Sequence, residues 1–336
     1  MTTKITVAGN MIADTVKKID SYPVRGTLSS ILEISHGVGG MGCSTSIALA
    51  KLDKSFSITA IGRIGDDENG AYVRKSLING GVNPNVIIDD SLPTSFTDVM
   101  SDQHGDRTFF HARGANAALC YDDIPYDKLD CELFHIGYIL LLDSMDAEDD
   151  EYGTKLARTL ARVRSMGIKT SVDVVSENSD RFSRVAIPSL KYCDYIIIND
   201  NEASLITGLP AREENGELSE IKIRRILERL FELGVNEMVS VHTSQGGWAL
   251  SRTAGFAYSP SLDLPEQVIK GHVGAGDAFS AGMLYSMCKG FDLKYALEIA
   301  AGTAACSLTE ANTTDGLRDF NGVLDMINQW GFNCVT

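Results

Sequence analysis

Six short runs rich in β-branched and apolar residues, at 5–9, 57–62, 133–141, 169–175, 195–199 and 238–242, are spaced far enough apart for a helix to fit between most of them. That spacing constrains the fold more than any other feature. Parallel strands cannot be joined by a tight turn, so strands separated by helical segments require crossover connections and a parallel sheet. Most of the runs are continuously apolar, the mark of strands covered on both faces. Between them, residues 43–52, 151–167 and 218–234 repeat apolar side chains at helical spacing, the last two ending on Gly167 and Gly234 after basic residues. This rhythm predicts an α/β fold with three layers, a central mostly parallel sheet between helices on both faces.

Two stretches break the rhythm. Residues 95–102 and 107–114 flank the turn sequence Gln103-His104-Gly105-Asp106, which reads as a hairpin. Residues 11–37 contain Pro23 and Gly26 and show little helical periodicity. The two stretches are expected to pair into a small β-sheet lid, as segments about 11–37 and 92–114 inserted in one domain covering 1–336. After residue 273 the pattern turns helical, with helices expected at 275–288, 293–308 and 320–330.

Composition excludes several classes of function. With 44% apolar and 22% charged residues over 336 positions, the chain has the profile of a folded globular protein with a substantial core. A net charge of −15 opposes nucleic-acid binding, which needs clustered Lys and Arg. It also means that a nucleotide site would need local positive potential from backbone N–H groups and a divalent cation. The seven cysteines are scattered and odd in number with no C-x-x-C pair, so neither a disulfide framework nor a zinc site is expected. The opening MTTKITVAGN has no basic segment followed by a long apolar one, and no run approaches a membrane span, so no membrane partner and a cytoplasmic location are expected.

The sharpest local signal is Val273-Gly274-Ala275-Gly276-Asp277-Ala278-Phe279, a glycine-flanked turn opening into a helix. The first N–H groups of a helix have no partner within it, and glycines let a phosphate approach them closely. Asp277 in that first turn has two readings. It is a helix cap favoured by the dipole, or it is a base that accepts the proton of an attacking hydroxyl beside a transferring phosphoryl group.

Gly274-Ala275-Gly276-Asp277 resembles the C-terminal signature of the ribokinase-like (PfkB) family of carbohydrate kinases, and companion motifs follow the family's order over about 300 residues. Gly9-Asn10 with Asp14 resembles its first strand-end loop, and Gly39-Gly40-Met41-Gly42 its di-glycine signature. Gly62, Gly65, Asp67 and Gly70 match its G-x-x-G-x-D-x-x-G, Gly114-Ala115-Asn116 its GAN, and Asn199 with Glu202 its N-x-x-E. The resemblance implies a ribokinase-like three-layer sandwich with a lid, and transfer of the ATP γ-phosphoryl group to a hydroxymethyl group. Asp277 would be the base, and the N–H groups of Gly274, Ala275 and Gly276 the anion hole. Asp14, Gly39, Gly40, Ser44, Arg113 and Asn116 would form the sugar site, and Asn199, Glu202, Thr243 and Gly247 the nucleotide site. Asn199 and Glu202 would also hold Mg²⁺ through water. A homodimer through the lid is common among such proteins.

Several positions carry a second reading. Asp14 is equally a solvated loop residue, and Gly39-Gly40 an ordinary turn. Asn199 and Glu202 have capping-box spacing. Arg113 stands where Pro is common, either as a lid residue or as a partner for a substrate carboxylate, as in relatives acting on 2-keto-3-deoxygluconate. Phe109 and Phe110 are expected in the core of the lid sheet, with stacking on a nucleoside base as the alternative. Asp66 and Asp67 read as a loop and helix start, residues 146–151 as a solvated helix start, and His104, His111 and His135 show no metal-ligand spacing.

Departures from the pattern limit what the resemblance implies. Gly271-His272 replaces the Asp-Thr that helps hold a monovalent cation in relatives, which counts against potassium activation. Met41, Ser44 and Ile12 replace a Lys and two Asn of the sugar pocket, which argues against ribose itself, and the loss of the Lys also counts against a phosphosugar, whose charge would want a cation. His242 stands where a Gly usually follows the strand. Three functions therefore compete: a sugar kinase, a nucleoside kinase of the same fold, and a binding protein that has lost catalysis.

Overall fold

The computed structural model describes residues 2–103, 107–177 and 179–333. In chain order, β1 (Lys4–Gly9), β2 (Ile12–Ile19) and β3 (Ile31–Gly39) lead into α1 (Met41–Leu52), β4 (Ser57–Gly65), α2 (Glu68–Asn79) and β5 (Asn83–Asp89). Next come β6 (Phe96–Ser101), β7 (Arg107–Ala112), a 3-10 turn at Gly114–Ala118, and β8 (Leu133–Ile139). A one-turn α3 (Asp143–Asp146) and the two-residue strands β9 (Glu148–Asp149) and β10 (Gly153–Thr154) precede α4 (Lys155–Ser165) and β11 (Lys169–Val174). The short α5 (Phe182–Val185) and α6 (Ile187–Leu190) then reach β12 (Tyr195–Asn199), α7 (Asp200–Thr207), α8 (Glu220–Glu232) and β13 (Met238–Thr243). The last elements are β14 (Gly246–Ser251), β15 (Gly255–Pro260), α9 (Ala275–Lys289), α10 (Leu293–Ser307) and α11 (Phe320–Trp330).

The main sheet has nine strands in the order β15-β14-β13-β12-β11-β8-β1-β4-β5. From β13 to β5 the pairs are parallel, and β14 and β15 close one edge antiparallel. All six apolar runs are central strands of this sheet. Along β12 the side chains alternate between two cores: Tyr195 and Ile197 face the one packed by α1, α9 and α10, and Ile196 and Ile198 the one packed by α4 and α8. That alternation produces the three layers. The sequence pattern missed β5, an edge strand with Pro84 inside it and three of its seven residues exposed.

The smaller sheet runs β3-β2-β6-β7, with β2 and β6 parallel and the outer pairs antiparallel. It joins the two stretches expected to form the lid. Of the hairpin turn, residues 104–106, His104 included, lie outside the described residues. Phe109 and Phe110 do not form the core of the small sheet as expected. They are 55% and 58% exposed, because β7 is its edge and neither of its faces is fully covered.

The acidic run also differs from expectation. Residues 146–151 are not a solvated helix start, because α4 begins at Lys155 under a Thr154 cap. Asp146 and Asp149 are buried, and Asp149 accepts from the N–H groups of Glu151 and Tyr152 at 3.1 and 3.0 Å while pairing with Lys155. Asp67 caps α2 through the Gly70 N–H at 2.8 Å, as read from the sequence.

The small sheet hangs from the carboxyl end of β1 through Asn10 and Met11, and Asn116 fixes that connection. Its Oδ1 accepts from the Met11 N–H at 3.1 Å, and its Nδ2 donates to the Met11 carbonyl at 3.2 Å, all fully buried. Asn116→Ala leaves two buried backbone groups unsatisfied, and is expected to cost about 2–4 kcal/mol. Urea unfolding measures this; a loss under about 0.5 kcal/mol would mean the clamp is dispensable.

Candidate active site

In open α/β sheets ligands bind beyond the carboxyl ends of the strands. Two cavities lie there. The first, about 680 Å³, sits between those strand ends and the inner face of the small sheet. The second, about 620 Å³, lies over the turn between β13 and β14 and the ends of α9 and α10. Ser176, Asn199, His242, His272 and Gly276 line both, so the cavities adjoin at the N-terminus of α9.

That N-terminus has the geometry the glycine turn implied. Gly274 has φ 81°, a left-handed conformation that favours glycine, and a Cβ there would stand 2.8 Å from Thr313. The first bond of the helix ladder runs from the Ala278 N–H to the Gly274 carbonyl at 2.9 Å, so the N–H groups of Ala275 and Gly276 precede the ladder. The helix is 15 residues long and its dipole adds positive potential at this end.

Asp277 lines the first cavity and is 7% exposed. Burial raises its pKa to about 6, against the opposing pull of the Tyr138 hydroxyl and, more weakly, the hydroxyls of Ser44 and Thr45. Tyr138 donates to Asp277 Oδ1 at 2.5 Å, while Ser44 and Thr45 lie close without closing a full hydrogen bond. Tyr138 is itself placed by Asn10, whose Oδ1 accepts from the Tyr138 N–H at 2.6 Å.

Three more carboxylates share this cavity. Asp14 is raised to about 7 by burial, with the Thr97 hydroxyl opposing and the charge of Asp277 adding. Gly39 makes room for it, since a Cβ there would stand 1.9 Å from Asp14 Oδ2. Asp173, near the end of β11, is pushed well up by burial and then by Glu202 and Asp277. Glu202 is raised to about 7, chiefly by burial. It closes a reciprocal cap with Asn199, each backbone N–H donating to the other's side chain at 2.9 Å, and accepts from the Ser176 hydroxyl at 2.8 Å.

The remaining residues marked from sequence divide into two groups. Arg113 lines the first cavity, and Thr243 and Ala275 the second. Gly39, Gly40, Ser44, Asn116 and Gly247 do not line either. Gly40 faces the Asn10 carbonyl, 2.4 Å from where its Cβ would stand, and Gly247 lies under the Phe279 ring at 2.5 Å on the same measure. Asn116 is committed to Met11, and Ser44 acts only as a neighbour of Asp277. Tyr138, Asp173 and Arg107 were not found from sequence; the only signal for Asp173 was a lone acid interrupting an apolar strand near its carboxyl end.

A family model described as pfkB family carbohydrate kinase matches residues 2–319. The chain is 24% identical to the bifunctional ribokinase/ribose-5-phosphate isomerase A of Fructilactobacillus sanfranciscensis, over 97% of this chain and 56% of that protein, so it spans little more than half of it. It is 22% identical to the 5-dehydro-2-deoxygluconokinase of Geobacillus thermodenitrificans, over 93% of this chain and 89% of the relative. Its fold is similar to that of Arabidopsis thaliana ribokinase complexed with ribose and ATP, with a TM-score of 0.78 at 22% identity, covering 97% and 99% of the two chains. The architecture is the ribokinase-like α/β fold.

Asp277 is expected to titrate near pH 6, followed by carbon-13 carboxyl NMR. Tyr138→Phe removes a donor to the charged form, so the midpoint should rise. An unchanged midpoint would detach Tyr138 from the control of Asp277.

Proposed function

Since the chain belongs to the pfkB family of carbohydrate kinases, which are ATP-dependent phosphotransferases, we propose that it phosphorylates a hydroxymethyl group on a small sugar or sugar derivative, with Asp277 as base. The observation that carries this reading is the place of Asp277: a buried carboxylate in the first turn of α9, where two cavities adjoin. The acceptor would lie under the small sheet and ATP over the β13–β14 turn.

In this reaction a bond forms between the acceptor oxygen and the γ-phosphorus, and the bond from that phosphorus to the bridging oxygen of ADP breaks. The hydroxyl proton passes to Asp277, whose pKa near 6 leaves it charged at neutral pH yet more basic than a solvated carboxylate. Charge on the phosphoryl oxygens is met by the N–H groups of Gly274, Ala275 and Gly276 at the positive end of α9. The small sheet excludes water that would otherwise accept the phosphoryl group.

Family members use ATP with a divalent metal, and Mg²⁺ suits the donors present here. Asp173 and Glu202 are hard oxygen donors whose burial beside each other favours a nearby cation. Among the described residues no group of three or more His, Cys, Asp or Glu is arranged to hold a metal. Asn199, Glu202 and Asp173 would therefore hold the ion largely through water and the ATP phosphates, where it would neutralise phosphate charge. Monovalent-cation activation is not supported: Gly271 packs so closely that a Cβ would stand 2.9 Å from the carbonyls of Glu310 and Ala311, which leaves no room for the relatives' Asp.

Ribose is disfavoured because Ile12 puts a branched apolar side chain in the cavity wall. A nucleoside acceptor is the second reading, favoured by the exposed Phe109 ring on the same cavity, which would suit stacking on a base. A binding-only protein is the weakest reading, because it gains nothing from a desolvated acid at the phosphate end. Dimerisation through the small sheet is supported by Leu28, Leu32 and Ile34 on or beside its edge strand β3, 88%, 61% and 54% exposed.

Asp277→Asn should keep the fold and ATP binding and lower turnover by about 10³-fold or more. Near-normal turnover removes Asp277 from the mechanism. In the unaltered protein, kcat/KM should fall as pH drops below about 6, as Asp277 gains a proton. For the dimer, sedimentation should show two chains for the native protein and one for Leu32→Glu/Ile34→Glu; a monomeric native protein ends that proposal.

A further inference from the structure

Resting on the reading of Asp277 as base, we propose that the acceptor carries an anionic group, a carboxylate or a phosphate monoester, remote from the reacting hydroxyl, and that Arg107 binds it. Asp14 pairs with Thr97 and Thr97 with His111, so these three form one row across β2, β6 and β7. Val99 pairs with Phe109 two residues along, and Ser101 with Arg107 two further. Residues two apart in a strand point to the same face, and Asp14, Thr97, Val99, Phe109, His111 and Arg107 all line the first cavity.

That face therefore grades from a carboxylate beside Asp277, through an apolar patch, to a cation. At about 3.3 Å per residue, Arg107 lies roughly 13 Å along β7 from the row that holds His111. Its guanidinium stands 6.0 Å from the ring centre of Phe109, two residues nearer that row, and the length that remains suits an extended six-carbon acid or a sugar phosphate rather than a small neutral sugar.

Charge assigns the role to Arg107 rather than Arg113. The Arg113 guanidinium is already committed to Asp143 at 2.6 Å and to Glu177 at 3.0 Å, with Arg181 sharing Glu177. Arg107 makes no ion pair among the described residues, and its guanidinium stands 6.0 Å from the Phe109 ring centre. His111, His242 and His272, the other basic side chains on the cavity, are held below the ordinary imidazole range, each chiefly by burial, with Arg113 adding at His111, Arg107 adding at His272 and Asp200 opposing at His242. They are neutral at neutral pH, so among the described residues Arg107 is the cation on this cavity that pairs with no carboxylate. A partly desolvated cation without a partner is costly, and an anion on the ligand offsets that cost. Arg107 lines the first cavity and not the second, which favours the acceptor over the ATP phosphates as the source of that anion.

The test is an ADP-release screen of matched pairs that keep a free hydroxymethyl group, such as D-glucose with D-gluconate and D-fructose with fructose 1-phosphate, extended over hexoses and pentoses. The native protein should prefer the anionic member of at least one pair, the pair showing whether the anion is carboxylate or phosphate. For that acceptor Arg107→Gln should raise KM about 10- to 100-fold with kcat and the KM for ATP little changed, and Arg107→Lys should restore part of the loss. Preference for neutral members, with Arg107→Gln behaving as native, overturns the proposal. So does a fall in kcat with every acceptor together with a raised KM for ATP, which would give Arg107 to the phosphoryl group. Calorimetric binding of the same pairs separates this from the kinase reading. Arg107-dependent binding of an anion without turnover strikes the kinase reading alone, and anion-indifferent turnover strikes this proposal alone. Neither turnover nor Arg107-dependent binding strikes both.

Discussion

The burial of Asp277 against the first turn of α9 is the constraint on which the rest of the site depends. A carboxylate in water is a weak base, and one buried without a partner is protonated and useless. Here burial pushes the group up and the Tyr138 hydroxyl pulls it back, leaving it near 6. Holding that balance takes parts from across the fold. Asn10 at the end of β1 sets Tyr138, α1 brings Ser44 and Thr45, and the small sheet closes the side toward solvent. The clamp of Asn116 on Met11 matters for the same reason, because it fixes the point from which the small sheet hangs.

The same burial gathers negative charge. Asp14, Asp173, Glu202 and Asp277 line one cavity in a chain whose net charge is already −15, and each that ionises makes the next harder to ionise. Arginines do not relieve this, because those near the strand ends are committed elsewhere: Arg63 to Asp89 and Asp123, and Arg113 and Arg181 to Glu177. Positive potential comes instead from the end of α9 and, at the far end of the small sheet, from Arg107. On the proposed reading the protein alone is electrostatically incomplete, and a metal-bound nucleotide would complete it.

How much of this was legible in the sequence follows from how each residue signals. The six central strands were legible because strands covered on both faces are continuously apolar, whereas β5, with Pro84 and an exposed edge, carries no such pattern. The glycine turn and Asp277 were legible because the helix end dictates local residue types. Gly39 was legible as a glycine, but its reason, the Asp14 carboxylate 1.9 Å from where a Cβ would stand, belongs to the pairing of β2 with β3. Asn116 and Gly247, marked from sequence as ligand contacts, line neither cavity and are held by Met11 and the Phe279 ring, since a motif records that a position is restricted and not what restricts it. Tyr138 and Arg107 gave no local signal, and Asp173 only that of a lone acid interrupting an apolar strand. Each acts through neighbours that only the sheet order and register bring near.

The departures from the family pattern and the features kept divide along a physical boundary. In the proposed roles, base and anion hole would sit at the start of one 15-residue helix, with Asn199 and Glu202 locked by their own reciprocal cap, so phosphoryl transfer would depend on a rigid unit. The acceptor would be read largely by side chains of a separate four-stranded sheet, where Ile12, Phe109 and Arg107 can change without moving α9. A change of acceptor then requires only new side chains on that sheet, while loss of catalysis would require disturbing the helix end. With the helix end intact and the sheet face altered, the differences from the ribokinase pattern are better understood as a change in what is phosphorylated than as decay of the chemistry.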